Sequence, residues 1–473
     1  MEAKKSLGLW DSTMIVSGSM IGSGIFIVSS DMARQLYSPY WLLGIWVLTG
    51  LLTLSAALSY GELSGLFPKA GGQYVYLREA YGKVVGFLYG WSMFSVIQTG
   101  TIAAVGVAFS KFTGYFLPVF NMDSANVITE IPLGFYDFKL YPAQLLAIGT
   151  IVFLSWYNTR GVEGGKWLQN IFTGTKLLAL FGLIVAGFVV GFNPEVWAAN
   201  WAIGSTAQAV DASGGDLLIP LTLSATVGAV AASMVGSVFS SDAWNNITFI
   251  AGEVRQPEKN IGRALMLGTL MVSGIYVLTN VMYLGVLPMD SIAHAPQDRV
   301  GVAAAEAILG NSGTYLLAAL IMISTFGCNN GLIFSGARVY YTMANDGLFF
   351  KKAATLNASG VPARAIWLQA IWASLLCLSG KYGDLLDYVV FCVMIFYILT
   401  IAGVIILRYK RPELVRTYKA PLYPVLPILY ILLAMAFCVA LLVYKPNYTW
   451  PGLIIVLMGL PIYALTLREK GSR

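Results

Sequence analysis

Apolar stretches of about 20 residues recur along the whole chain, and short polar segments separate them. A helix of that length reaches across the hydrocarbon core of a bilayer, so each stretch predicts a membrane-spanning helix. We predict an all-α polytopic membrane protein with both chain ends on one face and twelve transmembrane helices, at residues 12–36, 41–66, 84–118, 142–158, 167–191, 218–251, 263–287, 313–345, 364–380, 385–409, 422–444 and 449–467.

Two of the predicted spans are interrupted by polar residues and glycine at bilayer depth. Span 1 contains Gly22-Ser23-Gly24, and span 6 carries the polar run from Ser240 to Asn246. Broken backbone survives in lipid only where it lines a cavity or binds something. Paired interruptions in two halves of a chain point to the substrate site of a secondary transporter. The sequence therefore predicts discontinuous helices 1 and 6 within a five-plus-five inverted repeat.

The two interruptions divide the chain into blocks of similar length. Side-chain similarity between the blocks is weak, so the division rests on the matching positions of the interruptions. We predict a cytoplasmic amino-terminal segment, a first inverted repeat (helices 1–5), an outer loop, a second inverted repeat (helices 6–10), and peripheral helices 11 and 12 with the carboxyl terminus, at 1–11, 12–191, 192–217, 218–410 and 411–473.

Charge is sparse and unevenly distributed. Charged residues make up 11% of the chain and hydrophobic ones 57%, whereas a soluble protein carries about 25% charged residues. Twenty-one Lys and Arg residues lie in loops and ends on the side of the termini, against four on the other side, which are Lys139, Arg299, Lys381 and Lys445. Because cytoplasmic loops carry the excess of basic residues, both termini are predicted to be cytoplasmic, in a plasma or inner membrane.

A helix that breaks inside the membrane frees backbone groups. The amides of Ser23, Gly24 and Ile25 would point into a cavity with partial positive charge, which suits a carboxylate. Carbonyls near Ile21 in span 1 and at Phe239 in span 6 would suit an ammonium. One site with both kinds of group fits an α-amino acid zwitterion. The alternative is that the small residues of span 1 form a helix-packing face.

Three side chains near the interruptions are candidates for function. Phe239 is predicted to close over the site as an aromatic lid, and the alternative is a core or lipid-facing ring. Asp242 is a costly carboxylate at bilayer depth, which either meets a cation or carries a proton, or else is held by amides of the break. Lys176 in span 5 either donates to carbonyls of the span 1 break, in the place of a coupling sodium ion, or extends to the cytoplasmic surface.

The remaining chemistry-bearing residues form no enzyme motif. Spacing typical of zinc ligands, a phosphate-binding loop or a catalytic triad does not occur, so no metal, cofactor or enzymatic activity is predicted. Arg338 in span 8 is predicted to serve a cytoplasmic gate or to extend to the interface. No disulfide is predicted, within the chain or to a partner, because apolar segments contain all four cysteines: Cys328, Cys377, Cys392 and Cys438.

Distinctive motifs occur along nearly the whole chain, at residues 18–26, 62–76, 239–245, 253–264, 326–338 and 411–414. Together they resemble the amino acid–polyamine–organocation superfamily and, within it, the L-type amino acid transporter group. The resemblance implies sodium-independent exchange of L-amino acids. It implies that the substrate carboxylate binds the backbone at Ser23 and Gly24. It also implies that the substrate amino group binds carbonyls near Ile21 and Phe239. Lys176 matches the lysine that stands in for the sodium site.

The resemblance also bears on partners and on substrate choice. Human members use an outer-loop cysteine after the third helix to bind a glycoprotein partner, and residues 120–123 contain none. A stand-alone, prokaryotic-type member without a disulfide-linked heavy chain is expected. Members that exchange cationic and neutral amino acids carry an acid at the position of Asp242, as do some small-neutral exchangers. Ser240 lies in the same break, and Met394 and Tyr397 in span 10 are predicted to wall the side-chain pocket.

The predicted function is exchange of L-amino acids by alternating access. Neutral amino acids are the expected substrates, and the sequence does not decide whether cationic ones are also transported. The alternative is a proton-coupled uptake symporter of the same fold, in which Asp242 or Lys176 carries the proton. A membrane-embedded enzyme would need catalytic groups at the bilayer edge, and the sequence offers no such set. A channel would instead give a flux that does not saturate with substrate concentration. A receptor would bind the amino acid without transporting it.

Overall fold

The computed structural model describes residues 7–132, 137–210, 218–378 and 382–471. Of the residues on which predictions rest, Lys381 lies outside these ranges. So do parts of the predicted segments 1–11, 192–217 and 411–473.

The first block of the chain is helical, with one short hairpin. Span 1 consists of two helices, and span 3 consists of two helices joined by a π-helical turn at Met93–Ile97. The helices are α1 (Leu9–Met20), α2 (Val28–Gln35), α3 (Pro39–Leu66), α4 (Gln73–Tyr81), α5 (Lys83–Ser92), α6 (Gln98–Phe116), α7 (Pro142–Asn158) and α8 (Val162–Ala186). Strands β1 (Thr129–Pro132) and β2 (Asp137–Leu140) pair antiparallel between α6 and α7.

The second block repeats this order of helices after a short helix and a second antiparallel strand pair. Its span 6 again consists of two helices. The elements are α9 (Pro194–Ala202), β3 (Gln208–Val210), β4 (Leu218–Pro220), α10 (Leu223–Ser240), α11 (Asn246–Phe249), α12 (Pro257–Val286), α13 (Met289–Ala293), α14 (Val300–Asn345), α15 (Ala363–Leu376), α16 (Tyr382–Lys410), α17 (Val425–Tyr444) and α18 (Pro446–Gly471).

The predicted fold class is confirmed. In the described part of the chain, nine helices are long and apolar enough to cross a membrane. The other three predicted spans correspond to the divided pair α1 and α2, to α7 with 17 residues, and to α15 with 14 residues. Large apolar side chains such as Leu432 and Val439 are exposed on α17, as expected of a lipid-facing surface.

A separate helical segment precedes span 8, and span 8 itself begins after the kink at Gly310, in agreement with the predicted residue 313. Helix α14 runs from Val300 to Asn345, and the positive φ of Gly310 (+67°) divides it into two parts. The first part buries Val300 and Ile308 in the core. Glu306 lies on the exposed side of this first part.

Helices at equivalent positions of the two blocks pack against each other. Helix α3 packs along α12, and α6 packs along α14, which is the pairing expected of an inverted repeat. Near the start of the described chain, the Leu7 amide donates to the Glu253 carbonyl (3.0 Å) beside the start of α12. We call the face at which α1 begins and α18 ends the terminal face, and the other the opposite face.

Candidate functional site

The predicted break in span 1 is confirmed. Helix α1 ends at Met20, and α2 begins at Val28 after an unwound segment and a single 3-10 turn. The amides of Gly22, Gly24 and Ile25 have no hydrogen-bond acceptor among the residues that the structure describes. An enclosed cavity of about 20 Å³ lies against this segment, and we call it the break cavity; its lining includes Gly22, Ser23, Gly24, Thr101, Phe239, Ser240, Asp242, Ala243 and Leu332.

The two breaks meet at a glycine. A Cβ atom on Gly24 would stand 2.7 Å from the Cβ of Ser240, closer than side chains approach one another. Only glycine at position 24 therefore lets the unwound part of span 1 lie against the end of α10. This contact joins the amide-rich break to the residues that precede Asp242.

The predicted break in span 6 is also confirmed. Helix α10 ends at Ser240, and the next helical turn begins at Asn246. Between them Ala243 adopts a left-handed conformation (φ +62°), which is uncommon for a residue with a side chain. The Asp242 amide donates to the Phe239 carbonyl (3.1 Å). The Phe239 ring is buried and lines the break cavity, so it lies where an aromatic lid is predicted.

Tyr276 of α12 links the two breaks. Its hydroxyl lies 3.1 Å from the Met20 carbonyl oxygen and 3.0 Å from the Ser240 carbonyl oxygen. Each of these carbonyls ends a helix. The single phenolic proton is shared between them, so Tyr276 bridges acceptors that the two breaks release. Sequence reasoning missed this residue, because a tyrosine in an apolar span carries no signal in one sequence.

Lys176 is buried against the first break. Its ammonium donates to the Ile21 carbonyl (2.8 Å) and to the Gly18 carbonyl, and the residue is 1% exposed. Of the two predicted placements, the buried one is therefore correct. The Ile21 carbonyl, predicted to meet the substrate ammonium, already accepts a hydrogen bond from Lys176. Ile21 and Ile25 themselves do not line the break cavity.

Two other predicted site residues come together, and one does not. The Tyr397 hydroxyl donates to the Asp242 carboxylate. Tyr397 is buried beside the Trp244 ring, and Asp242 is partly buried. Met394 lines neither this cavity nor its neighbour. Its sulfur lies 3.9 Å from the Tyr430 hydroxyl of α17. Met394 therefore contacts a peripheral helix, whereas Tyr397, one turn further along α16, contacts Asp242.

A second enclosed cavity of about 20 Å³ adjoins the break cavity. We call it the amide cavity, after four carboxamide side chains that sequence reasoning did not select: Gln73, Gln98, Asn245 and Asn246. Asn245 donates to Gln73 (3.1 Å), which donates to Thr400 (3.0 Å). Gln73 begins α4, in the segment between predicted spans 2 and 3, so no local signal indicated that it reaches the site.

Ion pairs close the terminal face below the two cavities. Arg338 pairs with Glu253 (2.9 Å), so it serves this closed face rather than extending to the interface. Glu62 is 1% exposed, accepts from Arg408 (2.6 and 2.9 Å) and Arg416 (3.2 Å), and joins α3 to α16 and the segment after it.

The opposite face instead contains a cavity of about 490 Å³, which we call the vestibule. Asp298 on its wall pairs with Arg34 (2.9 Å) and Lys111 (3.1 Å). Burial opposes ionisation of Asp298, but these two cations outweigh it and lower the pKa of its carboxyl. The site therefore lies between a terminal face that is bridged by ion pairs and a charged recess of about 490 Å³.

Comparison with known proteins gives the family. The sequence model described as amino acid permease matches residues 7–465. The chain belongs to this family. The match spans both breaks and both blocks, and it confirms the resemblance stated from the motifs. Within the described residues, this permease has no group of His, Cys, Asp and Glu that could hold a metal ion.

Individual relatives cover nearly the whole permease. It is 29% identical to human b(0,+)-type amino acid transporter 1 over 471 residues, 99% of this chain and 89% of that protein. It is 29% identical to mouse Asc-type amino acid transporter 1 over 465 residues, 98% and 81% of the two chains. It is 29% identical to human large neutral amino acids transporter small subunit 2 over 467 residues, which are 98% of this chain and 80% of that protein.

Proposed function

We propose that this permease is a sodium-independent secondary transporter that exchanges L-amino acids across the membrane by alternating access. Its relatives carry names of amino acid transporters, and its family is that of the amino acid permeases. Neutral amino acids are the proposed substrate class. Transport of cationic ones depends on Asp242 and is a separate question for experiment.

One observation carries the proposal. The amides of Gly22, Gly24 and Ile25 have no acceptor among the described residues, and the first two line an enclosed cavity. Such amides at a helix break favour an anion, and a carboxylate is the anion common to all amino acids. Phe239 lines the same cavity; its carbonyl accepts from the Asp242 amide (3.1 Å) and has a second lone pair that suits the ammonium. We therefore propose that the unwound backbone from Gly22 to Gly24 holds the carboxylate, with the Ile25 amide behind it, and that Phe239 covers the bound substrate.

Lys176 supports sodium independence. Its ammonium already donates hydrogen bonds to the carbonyls of Gly18 and Ile21 at the break. Backbone carbonyls are the kind of ligand that a sodium ion requires. A fixed cation there leaves no need for a dissolved one. Ile21 then acts on the substrate indirectly, through the position that Lys176 gives to the unwound segment.

The two faces support alternating access. Ion pairs hold the terminal face closed, and the vestibule lies on the opposite face. We propose that bound substrate allows the vestibule to close and the ion pairs to separate. If the occupied form crosses far more readily than the empty one, the protein exchanges rather than accumulates.

Orientation and partners follow from sequence features. The excess of basic residues on the terminal face supports a cytoplasmic location of both ends, in a plasma or inner membrane. One relative is named as a small subunit. The loop at residues 120–123 has no cysteine, so we propose that the permease acts without a disulfide-linked partner.

Exchange is tested by uptake of labelled L-alanine into liposomes that contain the purified protein. We expect uptake when the lumen holds unlabelled alanine and little when it is empty, with equal rates in sodium and choline buffers. Uptake into empty liposomes driven by an acidic exterior would instead favour the proton symporter. Liposomes without protein provide the background.

A further inference from the structure

We propose that the amide cavity receives the substrate side chain and selects side chains that end in a hydroxyl or a carboxamide. This inference rests on the proposed function and names the substrate class within it. Tyr397 and Asp242 of the predicted site line the amide cavity, but its carboxamide side chains were not predicted.

The position of the amide cavity fits a side-chain subsite. It shares four lining residues with the break cavity, which are Thr101, Asp242, Ala243 and Leu332. An amino acid held by its carboxylate at the span 1 break has its Cα near this common wall. Its side chain then has one enclosed space to enter, on the side of α16 and α4.

Asn246 gives the amide cavity its chemical preference. The residue is 3% exposed and lines the cavity, and its Nδ2 has no hydrogen-bond partner among the described residues. The neighbouring amides of Gln73 and Asn245 already bond to each other. A buried donor without an acceptor is unfavourable, so a ligand that supplies an oxygen at this point gains a bond that the empty protein lacks.

The size of the amide cavity limits the side chain. Its volume of about 20 Å³ is that of roughly one water molecule. A terminal hydroxyl or carboxamide can take the place of that water and accept from Asn246. A methyl group of the same size fills the space but leaves the Asn246 donor unsatisfied. An indole ring does not fit the cavity in this conformation.

Threonine and valine form the matched pair of probes, because they differ by one hydroxyl in place of one methyl. We would measure how each unlabelled amino acid inhibits exchange of labelled L-alanine, whose methyl side chain stops short of the amide cavity. In the wild-type protein we expect threonine to compete about 3- to 10-fold better than valine, as one neutral hydrogen bond allows. In Asn246→Leu the two should compete equally, each measured against the rate of alanine exchange that this variant itself shows.

Controls separate this inference from the proposed function and from misfolding. Ser155→Ala removes another buried, unpartnered polar group, on α7 and away from both cavities, and should keep the threonine preference. If Asn246→Leu does not fold, Asn246→Ala replaces it with the same expectation. No exchange of any amino acid by the wild type would refute the proposed function. Two results would refute this inference but not the proposed function. One is a wild-type protein that exchanges alanine but is inhibited equally by threonine and valine, and the other is an Asn246 variant that keeps the preference for threonine.

Discussion

The ammonium nitrogen of Lys176 lies 2.8 Å from the carbonyl oxygen of Ile21, the residue at which α1 gives way to unwound backbone. A buried ammonium is stable in a membrane protein only where acceptors surround it. Here the acceptors are carbonyls that the break itself releases. The lysine and the unwound segment therefore stabilise each other, and the free amides that follow Ile21 are held in place for a ligand.

Replacement of Lys176 tests this mutual support. In Lys176→Ala the carbonyls of Gly18 and Ile21 lose their donor, so the break is less well fixed. We expect labelled alanine exchange to slow by about tenfold or more, with a smaller loss of alanine affinity. Leu178→Ala on the same helix, at a side chain that is 73% exposed, should exchange at the wild-type rate. A wild-type rate in Lys176→Ala would contradict the role of the lysine.

Asp242 is expected to influence the choice between neutral and cationic substrates. Its carboxylate accepts from Tyr397, which leaves further lone pairs for a substrate cation. Asp242→Asn removes the negative charge and nearly preserves the shape. We expect inhibition of alanine exchange by lysine and arginine to weaken relative to inhibition by neutral amino acids.

Tyr397→Phe provides the comparison for Asp242. It keeps the charge and removes only the hydroxyl donor, so cationic competitors should inhibit at least as well as in the wild type. Identical competition profiles for Asp242→Asn and the wild type would mean that the carboxylate only shapes the break.

Gly24 is expected to tolerate no side chain. A methyl group there would overlap Ser240 and separate the two breaks. We expect Gly24→Ala to lose alanine exchange while the protein is still produced. Gly174→Ala is the matched control in α8, because a Cβ on Gly174 meets no atom within 4 Å. Equal exchange by the two variants would mean that the breaks do not need to touch.

Glu62 is expected to determine the stability of the closed terminal face. Glu62→Ala leaves the guanidinium groups of Arg408 and Arg416 without their shared partner, and loss of one member of a buried ion pair costs about 3–5 kcal/mol. We expect a clear fall in melting temperature in detergent. Glu130→Ala removes an exposed pair with Lys139 (2.9 Å), which contributes about 0–1 kcal/mol, and should melt like the wild type.

The sequence predicted the parts of the site that depend on local chemistry. Glycines and polar residues within apolar spans located both breaks, and the cost of a buried charge selected Lys176 and Asp242. The same reasoning could not find Tyr276, Gln73 or Asn246. Their roles arise from helices that meet only in the folded chain.

Periodicity also failed where a helix packs on two sides. Met394 and Tyr397 share a face of span 10, yet Tyr397 reaches Asp242 whereas Met394 contacts Tyr430 of a peripheral helix. When a helix face is buried along its whole width, the residue pattern shows that it is buried. The pattern does not show which neighbouring helix contacts each residue.

The central claim is that the two breaks hold both charged ends of an amino acid. Competition by alanine analogues against labelled alanine exchange tests it most directly. L-alaninamide lacks the carboxylate that the free amides would bind, and propionate lacks the ammonium. We predict that L-alanine competes and that both analogues are at least 100-fold weaker, in keeping with the loss of charged hydrogen bonds at about 1.5–3 kcal/mol each. Competition by either analogue equal to that of alanine would contradict this account of the site.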